Sequence, residues 1–366
     1  MKKTLLLFTL IAGFTQSIKG QTQTALTSVP VPVHEFMLFN IDPMSVSMGY
    51  GGMALFTDET ATYLNPAMLV HSPNRSGFFL IGAKWLPNDM YILRAGGYYQ
   101  LNEKSVLSSN FTLFQNGIFN YVDNTGAFRG FSPKSRSWSW AVNYTRRLSN
   151  KVSMAVGMKY IHDNVMTISP STTIEMLPLN NVAFDISLAH VDTDVFKKFT
   201  INYGLNIANI GEKVNIGNKQ YAFLPTNLKL GIAPSYKLDV KNKVAFTVDA
   251  DKLLIPTPTG NHNNDSALSA MFNSFSDAPG GLSEELKEIT WSLGMQYAYD
   301  DFLFLRMGKF LESKDKGNRS FTTLGAGVVI SKLVNLDFAY SIDDNDGPIG
   351  NKAILTVGFN FSRIEK

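Results

Sequence analysis

The chain has 366 residues with 33 Lys and Arg against 30 Asp and Glu, no cysteine, and 26 Phe and 14 Tyr beside 28 Gly. A net charge of +3 is too small to recruit nucleic acid or another polyanion. The missing cysteine excludes disulfides, thiolate metal sites and the lipidated cysteine of a bacterial lipoprotein. Length alone permits roughly one to three domains.

The first segment, residues 1–20, opens on Met1-Lys2-Lys3 and continues from Thr4 to Phe14 without a charge. A short basic head followed by an apolar core of about ten residues predicts a secretory signal peptide, with cleavage near Gly20-Gln21. Past residue 20 there is no run of eighteen apolar residues, so no spanning helix is expected. The exported chain would then meet a membrane only through its own fold.

Residues 21–75 form an N-terminal extension whose centre reads "MGYGGMALFTDETATYLNPAML", Met48 to Leu69. Gly49, Gly51 and Gly52 lack both the third glycine of a dinucleotide fingerprint and the Lys of a phosphate loop, so they are expected to serve backbone geometry. Asn65 is placed to cap a short helix that begins at Pro66, since proline at the first helical position loses no needed donor.

From residue 76 to the end, apolar and small or polar residues alternate with period two. In "SWSWAVNYTRR", Trp138, Trp140, Val142 and Tyr144 share one face, opposite Ser139, Ala141, Asn143 and Thr145. The next segment sets Val152, Met154, Val156, Met158 and Tyr160 against Ser153, Ala155, Gly157 and Lys159, and "ITWSLGMQYAY" repeats the scheme. These are strands. The apolar face carries aromatics at both ends and the other face is polar without heavy charge, the pattern of a membrane barrel with a wet or plugged interior. A charge at Val156 is expected to impair assembly more than one at Ala155.

Segments near 76–86, 90–101, 104–115, 135–148, 151–162, 180–191, 198–209, 225–237, 242–252, 287–299, 301–311, 318–330, 333–342 and 352–361 give about fourteen strands, and an even number suits a single-chain bacterial barrel. The even connections, such as "LNEK", "LSNK", "YDD" and "SKL", are short. The odd ones, 116–134, 163–179, 210–224, 253–286 and 343–351, are long and rich in turn formers. Outer-membrane barrels show this alternation of periplasmic turns and external loops. The expected fold is therefore all-β, a transmembrane antiparallel barrel spanning residues 76–366, and the location is the outer membrane, in contact with its lipids. The extension is expected either to fold back into the lumen as a hatch or to lie extended under the barrel mouth.

"NIDPMSVSMGYGGMALFTDETATYLNPAML" resembles the N-terminal signature of the FadL-like outer-membrane barrels, above all their PorV branch from the type IX secretion system of Bacteroidota. The match runs through Pro43, Met48, Gly49, Gly51, Gly52, Ala54, Asp58, Asn65, Pro66 and Ala67. The tail is similar to the family's closing hairpin at Tyr340, Asp346, Gly347, Gly350, Leu355, Gly358, Phe359 and Phe361. The sequence departs from the branch at Leu64, where Trp or Tyr is common, and runs five residues past Phe361. The resemblance implies a fourteen-stranded barrel with a hatch that includes Gly49, Gly51, Gly52, Asp58, Asn65, Pro66 and Ala67. It implies one of two functions. A PorV-like protein binds the signal domains of secreted cargo and partners the translocon and the surface sortase complex. A FadL-like protein passively transports hydrophobic molecules.

Other chemistry has little support in the residues. His34, His71, His162, His190 and His262 are scattered without metal-ligand spacing, no Gly-x-Ser-x-Gly elbow occurs, and "DDNDG" at 343–347 fails the calcium-loop pattern. No cofactor and no enzymatic activity are expected. Among the long loops, 253–286 carries "ALSAMFNSF", in which Leu268, Met271, Phe272 and Phe275, with Ala267, are expected to form an apolar helical face. That face would either contact cargo or pack on its own barrel's rim.

Overall fold

The computed structural model describes residues 29–85, 90–117, 120–122, 128–131, 134–168, 174–192, 194, 196–216, 220–258, 265–331, 334–343 and 352–363. The expected signal peptide, His262 and the loop residues Asp346, Gly347 and Gly350 lie outside them.

Among the described residues eighteen strands follow one another: β1 (Asn74–Trp85), β2 (Met90–Asn102), β3 (Ser105–Gln115), β4 (Asn120–Val122), β5 (Phe128–Phe131), β6 (Arg136–Arg147), β7 (Val152–Ile168), β8 (Ile174–His190), β9 (Phe199–Ile210), β10 (Val214–Asn215), β11 (Tyr221–Ala222), β12 (Asn227–Lys237), β13 (Asn242–Leu253), β14 (Thr290–Tyr299), β15 (Leu303–Leu311), β16 (Ser320–Ile330), β17 (Val334–Asp343) and β18 (Lys352–Arg363). Fourteen of them form a closed antiparallel barrel, sealed where β1 pairs with β18 from Asn74↔Arg363 to Gly82↔Leu355. The other four make two small hairpins, β4–β5 and β10–β11, inside connections expected to be loops.

The alternation of the sequence becomes the two faces of this wall. Along β6, Ser137, Ser139, Ala141, Asn143 and Thr145 are buried, whereas Trp140 and Tyr144 are exposed. Val156 and Met158 of β7 are exposed in the same way, with Ala155 buried between their neighbours. An apolar outer face is costly in water and favourable against lipid. No helix of the described residues is long and apolar enough to cross a membrane.

Turn chemistry sets the short end. Asp300 and Asp301 both have positive φ, and the Phe302 amide donates to the Tyr299 carbonyl, as in the two-residue hairpin turn whose twist matches the strands. Between β12 and β13 the Asp239 carboxylate accepts from the Lys241 and Asn242 amides. By the rule for outer-membrane barrels, this end is periplasmic and the long-loop end extracellular.

β7 and β8 are longer than the alternation predicted. They pair with each other out to Ile168↔Ile174, but β7 pairs with β6 only as far as His162↔Trp138 and β8 meets β9 only from Phe184. Two strands that satisfy each other's backbone groups can continue past the rim without further neighbours, so the hairpin projects beyond it. At its base a bulge gives Asn209 a positive φ, and the Asp185 carboxylate accepts from the Asn209 amide.

Candidate functional site

Residues 29–73 occupy the lumen. Val33 donates to the Phe223 carbonyl in the extracellular connection after β11, and the chain then descends to β1 at the periplasmic end. It forms two short helices, α1 (Pro43–Val46) and α2 (Ala61–Leu64), and 3-10 turns at Glu35–Leu38 and Pro66–His71. The Asp42 carboxylate caps α1 through the Ser45 amide at 2.8 Å, and Pro43 stands at the first helical position. Asn65 does the same for the Pro66–His71 turn by accepting from the Ala67 amide, and its Nδ2 donates to the Leu188 carbonyl of β8.

Each residue expected in the hatch is in this segment. Gly49 has φ +67, and its amide donates to Thr323 Oγ1 of β16 at 3.0 Å. An added Cβ there would lie 2.5 Å from the Lys309 carbonyl oxygen, so only glycine allows this approach to β15. Gly51 accepts from Ser45 Oγ, Gly52 turns at φ +98 under the Phe56 ring, and Asp58 accepts from the Thr60 amide. Pro66 and Ala67 offer their carbonyls to Thr145 Oγ1 and Ser153 Oγ, at 2.8 and 2.7 Å.

The wall is shaped to this segment in two ways. On β3, β6, β7 and β9, inward Asn110, Asn143, Thr145, Ser153 and Asn206 donate to the carbonyls of Thr62, Leu64, Pro66 and Ala67. On β12, β14, β15 and β16 the inward positions are Gly231, Gly294, Gly308 and Gly325, and a Cβ at any of them would collide with Met53, Met48, Gly49 or Ser47. These wall residues were not singled out from the sequence. Their signal was there as small and polar residues on the inner register of each strand, but it identifies a face and not what fills it. Ala155 lies on the inward register, as expected, and is buried with Ala67, Met68 and Leu69 in one apolar cluster.

Above the helices the remaining space has both polar and apolar walls. A cavity of about 150 Å³ lies between Met37–Asn40, Tyr63 and the wall residues Arg94, Thr112, Lys159, Asp185, Asn206, Lys229 and Asp251. Its charged groups are hydrogen-bonded, and Arg94 and Lys229 tie wall to hatch. Arg94 donates to Thr112 Oγ1 and to the Phe39 carbonyl and lies 4.5 Å over the Tyr63 ring. Lys159 bonds Asp185 and Asn209, and Lys229 donates to the Tyr50 carbonyl. Toward the rim, Phe36 stacks on Phe114, and Ile41 and Leu224 complete an apolar cluster that fills its own volume.

In the lumen, desolvation and then the Asp42 charge push the Asp58 carboxyl up to about 7, and desolvation raises Glu59 well above the ordinary range. Glu59 accepts from Asn335 Nδ2 of β17 through one oxygen, while the other has no partner. Among the described residues no group of His, Asp and Glu is arranged to hold a metal ion.

The apolar loop residues of 253–286 lie in and just after one short helix. α3 (Ala267–Asn273) buries Ala270 and exposes Leu268 and Phe272, Met271 is half-buried, and Phe275 lies beyond the helix end. The expected single face is therefore not closed against the rim.

Comparison with known proteins gives the arrangement its relatives. Among solved structures, the Pseudomonas putida toluene transporter TodX superposes with a TM-score of 0.55 at 12% identity, covering 86% of this chain and 95% of that one. The Ralstonia pickettii toluene transporter TbuX gives 0.53 at 12% identity, covering 89% and 100%. The CymD monoaromatic hydrocarbon channel gives 0.52 at 12%, covering 89% and 99%. At such identities the likeness is one of fold. Among curated protein sequences nothing matches. The family model for the type IX secretion system protein PorV matches residues 18–260, which take in the whole lumen segment and the barrel through β13. The chain is an outer-membrane protein without enzymatic activity and belongs to the PorV family of type IX secretion system proteins.

Proposed function

We propose that this protein binds the signal domains of secreted cargo at its extracellular rim and hands them from the translocon to the sortase complex at the cell surface. The observation that carries the reading is the state of the lumen. It is filled by residues 29–73, which are hydrogen-bonded to most strands of the wall, and the space left over is lined by bonded polar and charged groups beside apolar ones. An apolar solute would have to displace those paired groups, and each buried polar group left unpaired costs about 1–3 kcal/mol. The competing reading, passive transport of hydrophobic molecules, needs this segment to move aside. The working surface is then the rim, where Leu268, Met271, Phe272 and Phe275 of the 253–286 loop are the proposed cargo contacts.

Phe272 and Leu268 are 72% and 60% exposed, so replacing both with Asp leaves the barrel's packing alone. The double variant is expected to assemble normally, to lose cargo release or surface attachment, and to leave uptake of hydrophobic compounds unchanged. Normal secretion with lost uptake would overturn the proposal in favour of transport.

A further inference from the structure

The loop between β13 and β14 holds a second feature beside the exposed face of α3, with Phe275 at the boundary between them. After α3 the chain forms α4 (Leu282–Glu285) and a 3-10 turn, Leu286–Glu288, and folds down over the outer wall of β12 and β13. A groove of about 210 Å³ lies between them, walled by Leu228, Leu230 and Ala250 on the barrel and by Phe275, Leu282 and Leu286 on the loop. Leu282 is 74% and Leu286 57% exposed.

An ion network fixes the loop in this place. Lys252 stands opposite Leu228 on the outward register, and its Nζ reaches Glu285 at 3.0 Å and Glu288 at 2.7 Å. Lys316, from the next extracellular connection, bonds Glu284 and Glu288 at 2.7 and 3.0 Å. A lysine on the outer face is thus neutralised by the loop that covers it. With the charges paired on one side, the groove itself is left apolar.

The height of the groove identifies its occupant. Ala250 pairs across the strands with Trp291, whose exposed ring faces outward. Tyr236, exposed at the periplasmic end of the same strand, lies eight residues from Leu228. At about 3.3 Å per residue and a tilt of about 40°, that is about 20 Å of height, within the apolar band of about 25 Å that such barrels present to the bilayer. The floor of the groove therefore continues the lipid-facing wall at its outer margin. We propose that the groove seats an acyl chain of an outer-leaflet lipid, so that α4 rests in the membrane surface and holds the rim loop at a fixed height. The proposal stands whether or not the rim serves secretion.

The absence of cysteine makes single-cysteine spin labelling unambiguous. The native full-length protein, with Leu282→Cys or Leu286→Cys, is placed in phosphatidylcholine nanodiscs and probed with oxygen and with a water-soluble nickel chelate. Met158→Cys on the outer wall and Val240→Cys in a periplasmic turn serve as references. The labels at 282 and 286 are expected to match Met158 in losing nickel-chelate broadening and retaining oxygen broadening. Ala250→Trp, which fills the groove floor, is expected to retain one lipid fewer in native mass spectrometry, with barrel assembly checked by heat-modified gel mobility. Nickel access equal to that at Val240, or an unchanged lipid count in the assembled Ala250→Trp barrel, would overturn the proposal. So would labels that are wet in nanodiscs but shielded in outer-membrane extracts by a bound protein, which would make the face a protein dock.

Discussion

Two arcs of one wall hold the same segment by opposite means. From β3 to β9, inward Asn, Thr and Ser side chains reach across a gap to the carbonyls of residues 62–67. From β12 to β16 there is no gap, because glycines let residues 47–53 lie directly against the strand backbones. The first arc is specific in direction and replaceable bond by bond, each contributing about 0.5–1.5 kcal/mol. The second depends on volume, so an added side chain fits only where the facing residue is shortened to make room. The hatch is thus clasped on one side and seated on the other, and the two sides should fail differently.

Gly308→Val should produce the largest effect. A Cβ at 308 would overlap the backbone of Met48 and Gly49, and backbone cannot rotate away as a side chain can. The expected result is a folded barrel whose hatch has left the β12–β16 arc, seen as rapid thiol labelling of an Ala54→Cys reporter that is otherwise fully buried. Slow labelling in the Gly308→Val barrel would show that the seat is loose and the comparison mistaken. Thr145→Val tests the other arc. It keeps the volume but removes the donor to the Pro66 carbonyl, and should cost about 1–3 kcal/mol for an unsatisfied buried group. The same reporter should then label faster by a moderate factor, with the hatch still in place.

A smaller effect comes from pH. The Asp58 carboxyl is raised from 3.8 to about 7 in the folded state, so the docked hatch binds a proton that the released segment gives up. That contribution is fully present below the ordinary value of 3.8, declines as pH rises, and is lost above about 7. Relative to an exposed Val240→Cys reference at each pH, which cancels ionisation of the thiol itself, Ala54→Cys should therefore label more slowly at about pH 5.5 than at about pH 8, and Asp58→Asn should flatten the difference. An unchanged slope in Asp58→Asn would assign the dependence to Glu59.

The contrast between the arcs also marks what could be read from the residues alone. Period-two alternation, the short and long connections and the Asn65-Pro66 cap are local signals, and they carried the strand number, the barrel and the capped turn. The seat at Gly231, Gly294, Gly308 and Gly325 was not legible, because a strand glycine looks the same whether it faces water, lipid or another backbone. Ala155 shows the same limit. Its place on the small-residue face is visible in the sequence, whereas its contact with Ala67 and Met68 exists only once residues more than eighty positions apart are brought together. The extension of β7–β8 past the rim was not legible either, because the alternation reads as ending near residue 162 and resuming near 180, whereas β7 runs to Ile168 and β8 begins at Ile174.

The central claim is that the barrel works with its hatch closed, and a reversible lock tests it most directly. A Cβ at Gly231 would lie 2.5 Å from Met53 Cγ, one bond from Met53 Cβ, so Gly231→Cys with Met53→Cys falls within disulfide reach in a chain with no other cysteine. Secretion and surface attachment of cargo should proceed equally under oxidising and reducing conditions once the cross-link is verified. Cargo release that stops when the bond forms and returns when it is reduced would contradict the account, because the hatch would then have to move for the protein to work.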